Sequence, residues 1–301
     1  MKTQKLLTSA AIAALITSAS ASVTIDWVTV GNAGNSADPL TGRGTVGYSY
    51  QIGKYEVTNA QYSAFLNAKG QSNSNGIYNS SMSSYGITQS GSSGSYTYSV
   101  TTALANRPVV YVSWFDAARF ANSMMNGQEN GDTETGAYTL NGATSGIILA
   151  NAGAQVYIPT ENEWYKAAYY NAATSTYSLY PNGQNTITAA DANYGHAVGS
   201  TTDVGSYGDD ASYYGTFDQG GNVFEWNDAV SGVSGTGRGS LGGSWNGDAT
   251  AYSWLISSYR NFAGAEDEYN FKGFRLAAVP EPSSLVLTML ASGVILIRRR
   301  R

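Results

Sequence analysis

The chain has 301 residues, with 16 basic and 21 acidic side chains and no cysteine. Its two ends hold six of the basic residues and one of the acidic residues, so the charge between them is about −10. Such an acidic surface argues against nucleic acid as a partner. The lack of cysteine excludes disulfides as a source of stability. Residues 22–279 remain as a core that is compatible with a single domain.

Residues 1–21 have the three-part layout of a secretory signal peptide. Lys2 and Lys5 come first, an apolar run follows over residues 6–16, and the small residues Ala19-Ser20-Ala21 close the segment. We expect export through the Sec machinery and cleavage after Ala21.

Three segments carry the signature of a capped helix start, a hydroxyl at the N-cap and a polar acceptor three residues later. These pairs are Thr58 with Gln61, Ser113 with Asp116, and Thr160 with Glu163. Apolar side chains then recur on one helical face in each segment. They are Tyr62, Phe65 and Leu66 in the first, Ala117, Phe120, Ala121 and Met124 in the second, and Trp164, Ala167 and Ala168 in the third. Gly127 is the predicted stop of the second helix.

The rest of the core indicates short strands, such as 48–55, separated by turn clusters. The tract 70–102 is rich in Ser, Gly, Asn and Tyr and nearly free of charge, which predicts a long surface insertion. Few helices among many short strands predict an α+β domain with little regular secondary structure.

The stretch DQGGNVFEWND (218–228) places the carboxylate of Glu225 between Phe224 and Trp226. An ionised carboxylate loses its water there unless hydrogen-bond donors, a cation or a metal ion compensate. Glu225 therefore has two possible roles, a glutamate that accepts hydrogen bonds from the backbone or a metal ligand.

The C-terminal residues 280–301 consist of Pro280-Glu281-Pro282, a mostly apolar stretch over 284–297, and four arginines. Fourteen helical residues cover about 21 Å, which is short of a hydrocarbon core of about 30 Å. The arginines favour a cytoplasmic C-terminus, which leaves the core outside the membrane. This tail resembles the PEP-CTERM sorting signal, which implies an exosortase as the processing partner. An ordinary C-terminal membrane anchor would give the same topology.

Six collinear blocks of the core resemble the formylglycine-generating enzyme family, also called sulfatase-modifying factor. The blocks are YQIGKYEVTNAQYSAFLN (50–67), RPVVYVSWFDAARFAN (107–122), YIPTENEWYKAAYY (157–170), YGTFDQGGNVFEW (214–226), LGGSWN (241–246) and GFRLA (273–277). The resemblance implies a C-type-lectin-like α+β fold.

The resemblance also implies a copper site, but this chain does not keep it. The family's two copper-binding cysteines fall on Gly247 and Tyr252. Cuprous ion requires thiolate ligands, so we expect neither copper binding nor formylglycine formation. A related branch binds iron through several histidines, whereas this chain has only His196, which we interpret as a solvated loop residue.

A structural calcium ion is implied where the chain reads DQGGNVFEW. The ligands carried over are Asp218, the carbonyls of Gly221 and Val223, and the side chain of Glu225. Calcium binds six to eight hard oxygens, which these groups and water could supply. We therefore favour the metal reading of Glu225 over the capped one. A second family calcium site, beginning at Asn193, is not predicted because its loop is shortened.

Two function classes remain. One is a non-catalytic surface or matrix module that keeps the cleft in which the family's enzymes bind their substrate. Its candidate residues are Ser244, Trp245, Asn246, Tyr252 and Trp254. Aromatic rings beside amides suit a glycan or peptide ligand, although the same residues could simply fill the core. The other class is an enzyme of unidentified reaction. In either case we expect a cell-surface or extracellular-matrix location with transient anchoring in the inner membrane.

Overall fold

The computed structural model describes residues 22–128, 131–231, 237–247, 250 and 252–279. The signal peptide predicted in 1–21 and the sorting tail predicted in 280–301 lie outside these residues. Over the part of the chain that is described, no helix has both the length and the apolar character needed to cross a membrane.

The described residues form a mixed helix and strand fold with short elements, which confirms the α+β prediction. The helices are α1 (Asn59–Lys69), α2 (Trp114–Met125), α3 (Glu161–Tyr169) and α4 (Tyr252–Leu255), with 3₁₀ turns at Ser80–Tyr85 and Thr102–Leu104. The strands are β1 (Trp27–Val30), β2 (Tyr50–Gly53), β3 (Ile87–Ser90), β4 (Thr97–Val100), β5 (Val156–Tyr157), β6 (Tyr170–Asn171), β7 (Thr176–Tyr177), β8 (Phe224–Val230), β9 (Gly237–Leu241), β10 (Asn261–Gly264), β11 (Lys272–Gly273) and β12 (Ala277–Ala278).

All three predicted helix starts are confirmed, each with a complete capping box. Thr58, Ser113 and Thr160 accept a hydrogen bond from the backbone three residues later, and the side chain at that position bonds back to the cap. Helix α2 ends at Met125 with Asn126 as its C-cap. Gly127 follows with a φ of 83°, so it ends the helix as its sequence position predicts.

Two four-stranded sheets organise the chain, in the orders β1-β2-β12-β5 and β10-β9-β8-β11. In the first sheet, β12 lies antiparallel between β2 and β5, with Ala277 opposite both Ile52 and Tyr157. In the second sheet, β11 pairs parallel to β8, with Lys272 opposite Phe224 and Gly273 opposite Glu225. The last two strands, β11 and β12, therefore each belong to a different sheet, and they help to build the two sites described below.

The main core lies where α1 and α2 meet the chain before β12. Tyr62 and Phe65 of α1 pack on Phe120 of α2 with ring centroids 6.0 and 5.2 Å apart. Phe274 completes this group at 5.4 Å from Phe120. The apolar faces predicted for α1 and α2 are the faces that bury these rings.

The tract 70–102 is more ordered than its composition predicts. It contains the 3₁₀ turn Ser80–Tyr85 and the antiparallel hairpin β3-β4. Met82, Ile87 and Tyr98 are buried in the main core. Most residues of the tract are exposed or half-buried, so it lies at the surface as predicted. A few apolar residues spaced along this polar segment anchor it to the core.

Candidate ligand cleft

A cleft of about 440 Å³ opens beside the second sheet. Six of its lining residues are aromatic, and the others include two amides, a carboxylate and an amine. The lining residues are Phe224, Asn246, Trp254, Tyr259, Asn261, Phe262, Ala263, Asp267, Tyr269, Phe271 and Lys272. This volume lies within the range of small-molecule pockets, about 300 to 1,000 Å³.

The parallel pairing of β8 with β11 explains how the rings converge. Phe224 at the start of β8 lies with its ring centroid 6.0 Å from Trp254 and 6.2 Å from Tyr259. Tyr269 and Phe271, just before β11, stack with centroids 5.0 Å apart and planes at 4°. Together these rings form a continuous aromatic wall.

Lys272 is the basic residue among those that line the cleft, and it is nearly fully buried at 1% exposure. Its Nζ has no hydrogen-bond partner among the described residues and lies 3.9 Å from the Trp226 ring centroid. Burial lowers the pKa of Lys272 to about 7, while the carboxylate of Asp267 acts in the opposite direction. The amine is therefore held in an apolar setting without an acceptor.

The five cleft residues predicted from the sequence occupy different positions. Asn246 and Trp254 line the cleft. Ser244 is buried, and its Oγ donates to Oδ1 of Asn246 at 2.9 Å. Trp245 is also buried, and its Nε1 donates to the Asn270 carbonyl at 3.1 Å. Tyr252 is 47% exposed and does not line the cleft.

Sequence reasoning missed most of the wall. Phe224, Phe262, Tyr269 and Phe271 lie outside segment 242–260, which the family resemblance assigns to the substrate cleft. Tyr259 lies within that segment but was not among the five candidate residues. One signal was available, since aromatic residues recur at short intervals over 252–271 without the periodicity of a core helix or strand. Lys272 carries no sequence signal of its own, because its setting depends on the pairing of β11 with β8.

Glu225, the carboxylate between two aromatic residues, is compensated by an arginine. Arg275 Nε donates to Oε2 at 2.5 Å and Nη2 donates to Oε1 at 2.6 Å. Trp164 Nε1 also donates to Oε2, at 2.7 Å. Both charged side chains are fully buried. The donors come from side chains rather than from the backbone, which differs from the capped reading.

Two further acids lie within the field of this arginine. Glu56 is buried, and its Oε1 has no hydrogen-bond partner among the described residues. Burial, with the charges of Asp218 and Glu225, raises the pKa of Glu56 well above its ordinary value. Burial raises the pKa of Asp218 to about 6, although Gly205 N–H donates to its Oδ2 at 2.6 Å. Three carboxyl groups therefore share the field of Arg275.

The four predicted calcium ligands, Asp218, Gly221, Val223 and Glu225, lie along the stretch that leads into β8 and through its second residue. Gly221 has a φ of 84°, and an added Cβ would lie 2.4 Å from the Asn193 carbonyl oxygen, so only glycine fits there. Arg275 and Trp164 together account for the burial of Glu225, and Arg275 donates to both carboxylate oxygens. Within the described ranges, no group of three or more His, Cys, Asp or Glu side chains could hold a metal. Calcium binding through Asp218, the carbonyls of Gly221 and Val223 and the side chain of Glu225 stays a prediction.

The two positions onto which the resemblance maps the family's copper-binding cysteines carry no thiol. Tyr252 belongs to α4 and Gly247 lies in the loop before it. Glycine has no side chain to donate, and a phenol is a hard ligand that does not suit cuprous ion. His196, with a φ of 56°, is exposed and lies edge-on to Trp245 with centroids 5.6 Å apart, as expected for a loop residue.

The family model for the sulfatase-modifying factor enzyme 1-like domain (FGE-sulfatase) matches residues 27–279. The chain belongs to this family.

Solved structures agree with this fold. The crystal structure of CarF is 22% identical in sequence and has a TM-score of 0.60. The match covers 86% of this chain and 100% of the CarF chain. Treponema denticola variable protein 1 is 23% identical, with 87% and 98% coverage and a TM-score of 0.58. At these identities the likeness concerns the fold alone. No curated protein matches the sequence.

Proposed function

We propose that the chain is an exported binding module of the cell surface or extracellular matrix, whose aromatic cleft holds a glycan or peptide ligand. The observation that carries this proposal is a cleft of about 440 Å³ with six aromatic residues in a family member that has no cysteine. Aromatic rings provide large, rigid contact area, and neighbouring amides can orient polar groups.

Export is part of the same proposal. It is supported by the signal-peptide layout of residues 1–21 and by the PEP-CTERM-like tail of residues 280–301. Mass spectrometry of protein released from the cell surface should find a chain that begins near Ser22 and ends near Pro280. Recovery only from the cytoplasm with Met1 intact would contradict it.

A panel of oligosaccharides and peptides, applied to the immobilised protein, tests the binding function. We expect Trp254→Ala to reduce binding, because this ring lines the cleft. Tyr213→Ala is the matched control, since Tyr213 is an exposed aromatic residue outside the cleft. Equal binding by both variants would contradict the proposal. Redox-active copper or iron in the purified protein would instead support an enzyme of the same superfamily.

A further inference from the structure

Asp267 presents a fixed carboxylate to the cleft. Its Oδ2 accepts a hydrogen bond from Gly264 N–H at 2.9 Å, and its own N–H donates to the Gly264 carbonyl at 3.0 Å. A Cβ added at Gly264 would lie 3.2 Å from Oδ1 of Asp267, so the glycine permits this close approach. Oδ1 accepts no hydrogen bond from the described residues. Asp267 therefore offers an acceptor whose position is set before a ligand arrives.

Two amides that line the cleft are each held by a buried serine. Asn246 Oδ1 accepts from Ser244 Oγ at 2.9 Å, and Asn261 Nδ2 donates to Ser240 Oγ at 3.0 Å. A side-chain amide has one carbonyl acceptor and two N–H donors, so one hydrogen bond uses only part of its capacity. The cleft therefore combines a carboxylate acceptor with amides that can both donate and accept.

The aromatic wall has two parts that meet at an angle. The planes of Phe224, Trp254 and Tyr259 lie within 39° of one another, and those of Tyr269 and Phe271 lie within 4°. The two parts meet where Phe224 and Phe271 have centroids 6.4 Å apart and planes at 68°. A pyranose ring has faces of C–H groups and an edge of hydroxyls, so a face can contact these rings while the hydroxyls reach the polar side chains.

The charge that a ligand can reach in the cleft is negative. Asp267 and Lys272 are the charged residues of the lining. Nζ of Lys272 has less than 1 Å² of accessible surface and lies 3.9 Å from the centroid of the buried Trp226 ring. A ligand can therefore contact the carboxylate but not the amine. A carboxylate on the ligand would be repelled, because like charges placed side by side are unfavourable.

We propose that the cleft binds an uncharged hexose glycan and that Asp267 sets this specificity. This inference rests on the binding function proposed above. Sugar hydroxyls donate to Oδ1 of Asp267, and such charge-assisted hydrogen bonds are about twice as strong as those between neutral groups. The amides of Asn246 and Asn261 bond to further hydroxyls. A uronic acid is rejected because its carboxylate would lie beside Asp267 with no cation in reach.

A glycan is favoured over a peptide by the kind and number of the fixed polar groups. Neighbouring hydroxyls on a sugar ring each donate and accept, which matches one carboxylate and two amides beside a flat apolar surface.

The test compares sugars that differ only at the exocyclic carbon, a hydroxymethyl group in the neutral sugar and a carboxylate in the acid. The pairs are cellotriose with cellotriuronic acid, mannotriose with trimannuronic acid, and galactotriose with trigalacturonic acid. Each sugar is titrated into the full-length mature protein by calorimetry. We expect at least one neutral sugar to bind, and to bind at least about tenfold more tightly than its acid.

Asp267→Asn tests the residue itself. The variant should bind the neutral sugar about fivefold more weakly and prefer it over the acid by about twofold or less, because an amide accepts hydrogen bonds less strongly and does not repel a carboxylate. The new amide can still accept from Gly264 N–H. Glu266→Gln is the matched control, since Glu266 is an exposed neighbour that does not line the cleft, and it should leave the preference unchanged.

Each outcome has a distinct meaning. An acid that binds as tightly as its neutral partner in the wild type would overturn the specificity while leaving the cleft as a binding site. Equal effects of Asp267→Asn and Glu266→Gln would overturn the role of Asp267. Binding of a peptide, with no binding of any of the six sugars, would overturn the choice of a glycan, and binding of neither class would overturn both proposals. The comparison of neutral sugar with acid needs no variant, so it decides the specificity even if Asp267→Asn fails to fold.

Discussion

Arg275 and Glu225 form a two-pronged ion pair, with N–O distances of 2.5 and 2.6 Å and no exposure of either side chain. The two residues are 50 positions apart. The parallel pairing of β11 with β8 brings them together, because Gly273 lies opposite Glu225. Arg275 also donates to the carbonyls of Gly53 and Phe217 at 2.9 and 2.7 Å. One side chain therefore ties the end of the core to β2 and to the loop before β8.

Loss of this pair should be strongly destabilising. Arg275→Met leaves Glu225 buried without its cation, and breaking a buried pair costs about 3 to 5 kcal/mol. We expect the melting temperature to fall by about 6 to 20 °C, at about 2 to 4 °C per kcal/mol. Arg260→Met is the control. Arg260 bonds to Glu161 at 2.6 Å, but its side chain is 43% exposed, so the loss should be below about 1 kcal/mol. Equal losses in the two variants would contradict this account.

The ion pair bears directly on the predicted calcium site, because Glu225 belongs to both. A site with a Kd of about 0.1 to 1 mM would add about 0.4 to 1.4 kcal/mol at ~1 mM calcium. That is a rise of about 1 to 6 °C in melting temperature, which chelation should reverse and Asp218→Asn should remove. The measurement is a thermal melt of metal-free protein with calcium and with chelator. If the melting temperature of the wild type does not respond to calcium, Arg275 is a sufficient counter-ion for Glu225. The prediction of a calcium site would then be wrong.

Mild acid should stabilise the protein through Asp218. Burial raises the pKa of this carboxyl from 3.8 to about 6, so the folded state binds a proton more readily than the unfolded state between these values. The cost of the buried charge is full above about pH 6 and is lost as the pH falls toward 3.8. Stability from this group therefore increases on acidification.

Asp218→Asn measures that contribution. Asn tolerates the left-handed backbone at this position, where φ is 59°. We expect the variant to be about 1 to 3 kcal/mol more stable than the wild type at pH 7.5 and equal to it near pH 4. Asp209→Asn, at an exposed position, should show neither effect. Urea denaturation across this pH range gives the comparison, and a wild type that is least stable in mild acid would contradict it.

Lys272 should destabilise the ligand-free fold. Burial lowers its pKa from 10.5 to about 7, so the unfolded state binds the proton more tightly over this interval. The free-energy cost of burying the protonated amine is full below pH 7 and disappears as the pH rises toward 10.5. Lys272→Met should therefore raise stability by about 1 to 3 kcal/mol at pH 6 and have little effect near pH 10. Lys166→Met should not stabilise, because it removes a hydrogen bond to Asn32. Destabilisation by Lys272→Met at pH 6 would show that the amine has a partner in the fold.

The helix starts could be predicted correctly because they depend on residues close together in the sequence. Contacts between residues far apart in the sequence could not be predicted. A capping box involves residues three positions apart, so Thr160 and Glu163 identify the start of α3 without knowledge of the fold. Glu225 could be singled out because a carboxylate between two rings must be compensated. Its partner Arg275 could not be found, since the pairing depends on a two-residue parallel strand.

The cleft was only partly predictable for the same reason. Asn246 and Trp254 follow from the family's substrate region and do line the space. Trp245 belongs to the same segment, but its ring turns inward to bond with the Asn270 carbonyl. Lys272 becomes a cleft residue only because β11 places it beside Phe224.

The most direct test of the central claim, that this cysteine-free family member binds a ligand through its aromatic cleft, is the affinity of a cleft variant. The Kd of the tightest ligand from the oligosaccharide panel should be measured for the wild type, Phe271→Ala and Tyr213→Ala. Phe271 stacks on Tyr269 within the cleft, and removal of such an aromatic contact costs about 1 to 3 kcal/mol, or about five- to 150-fold in Kd. We predict that loss for Phe271→Ala and an unchanged Kd for Tyr213→Ala. An unchanged Kd for Phe271→Ala, in a variant that melts like the wild type, would contradict the account.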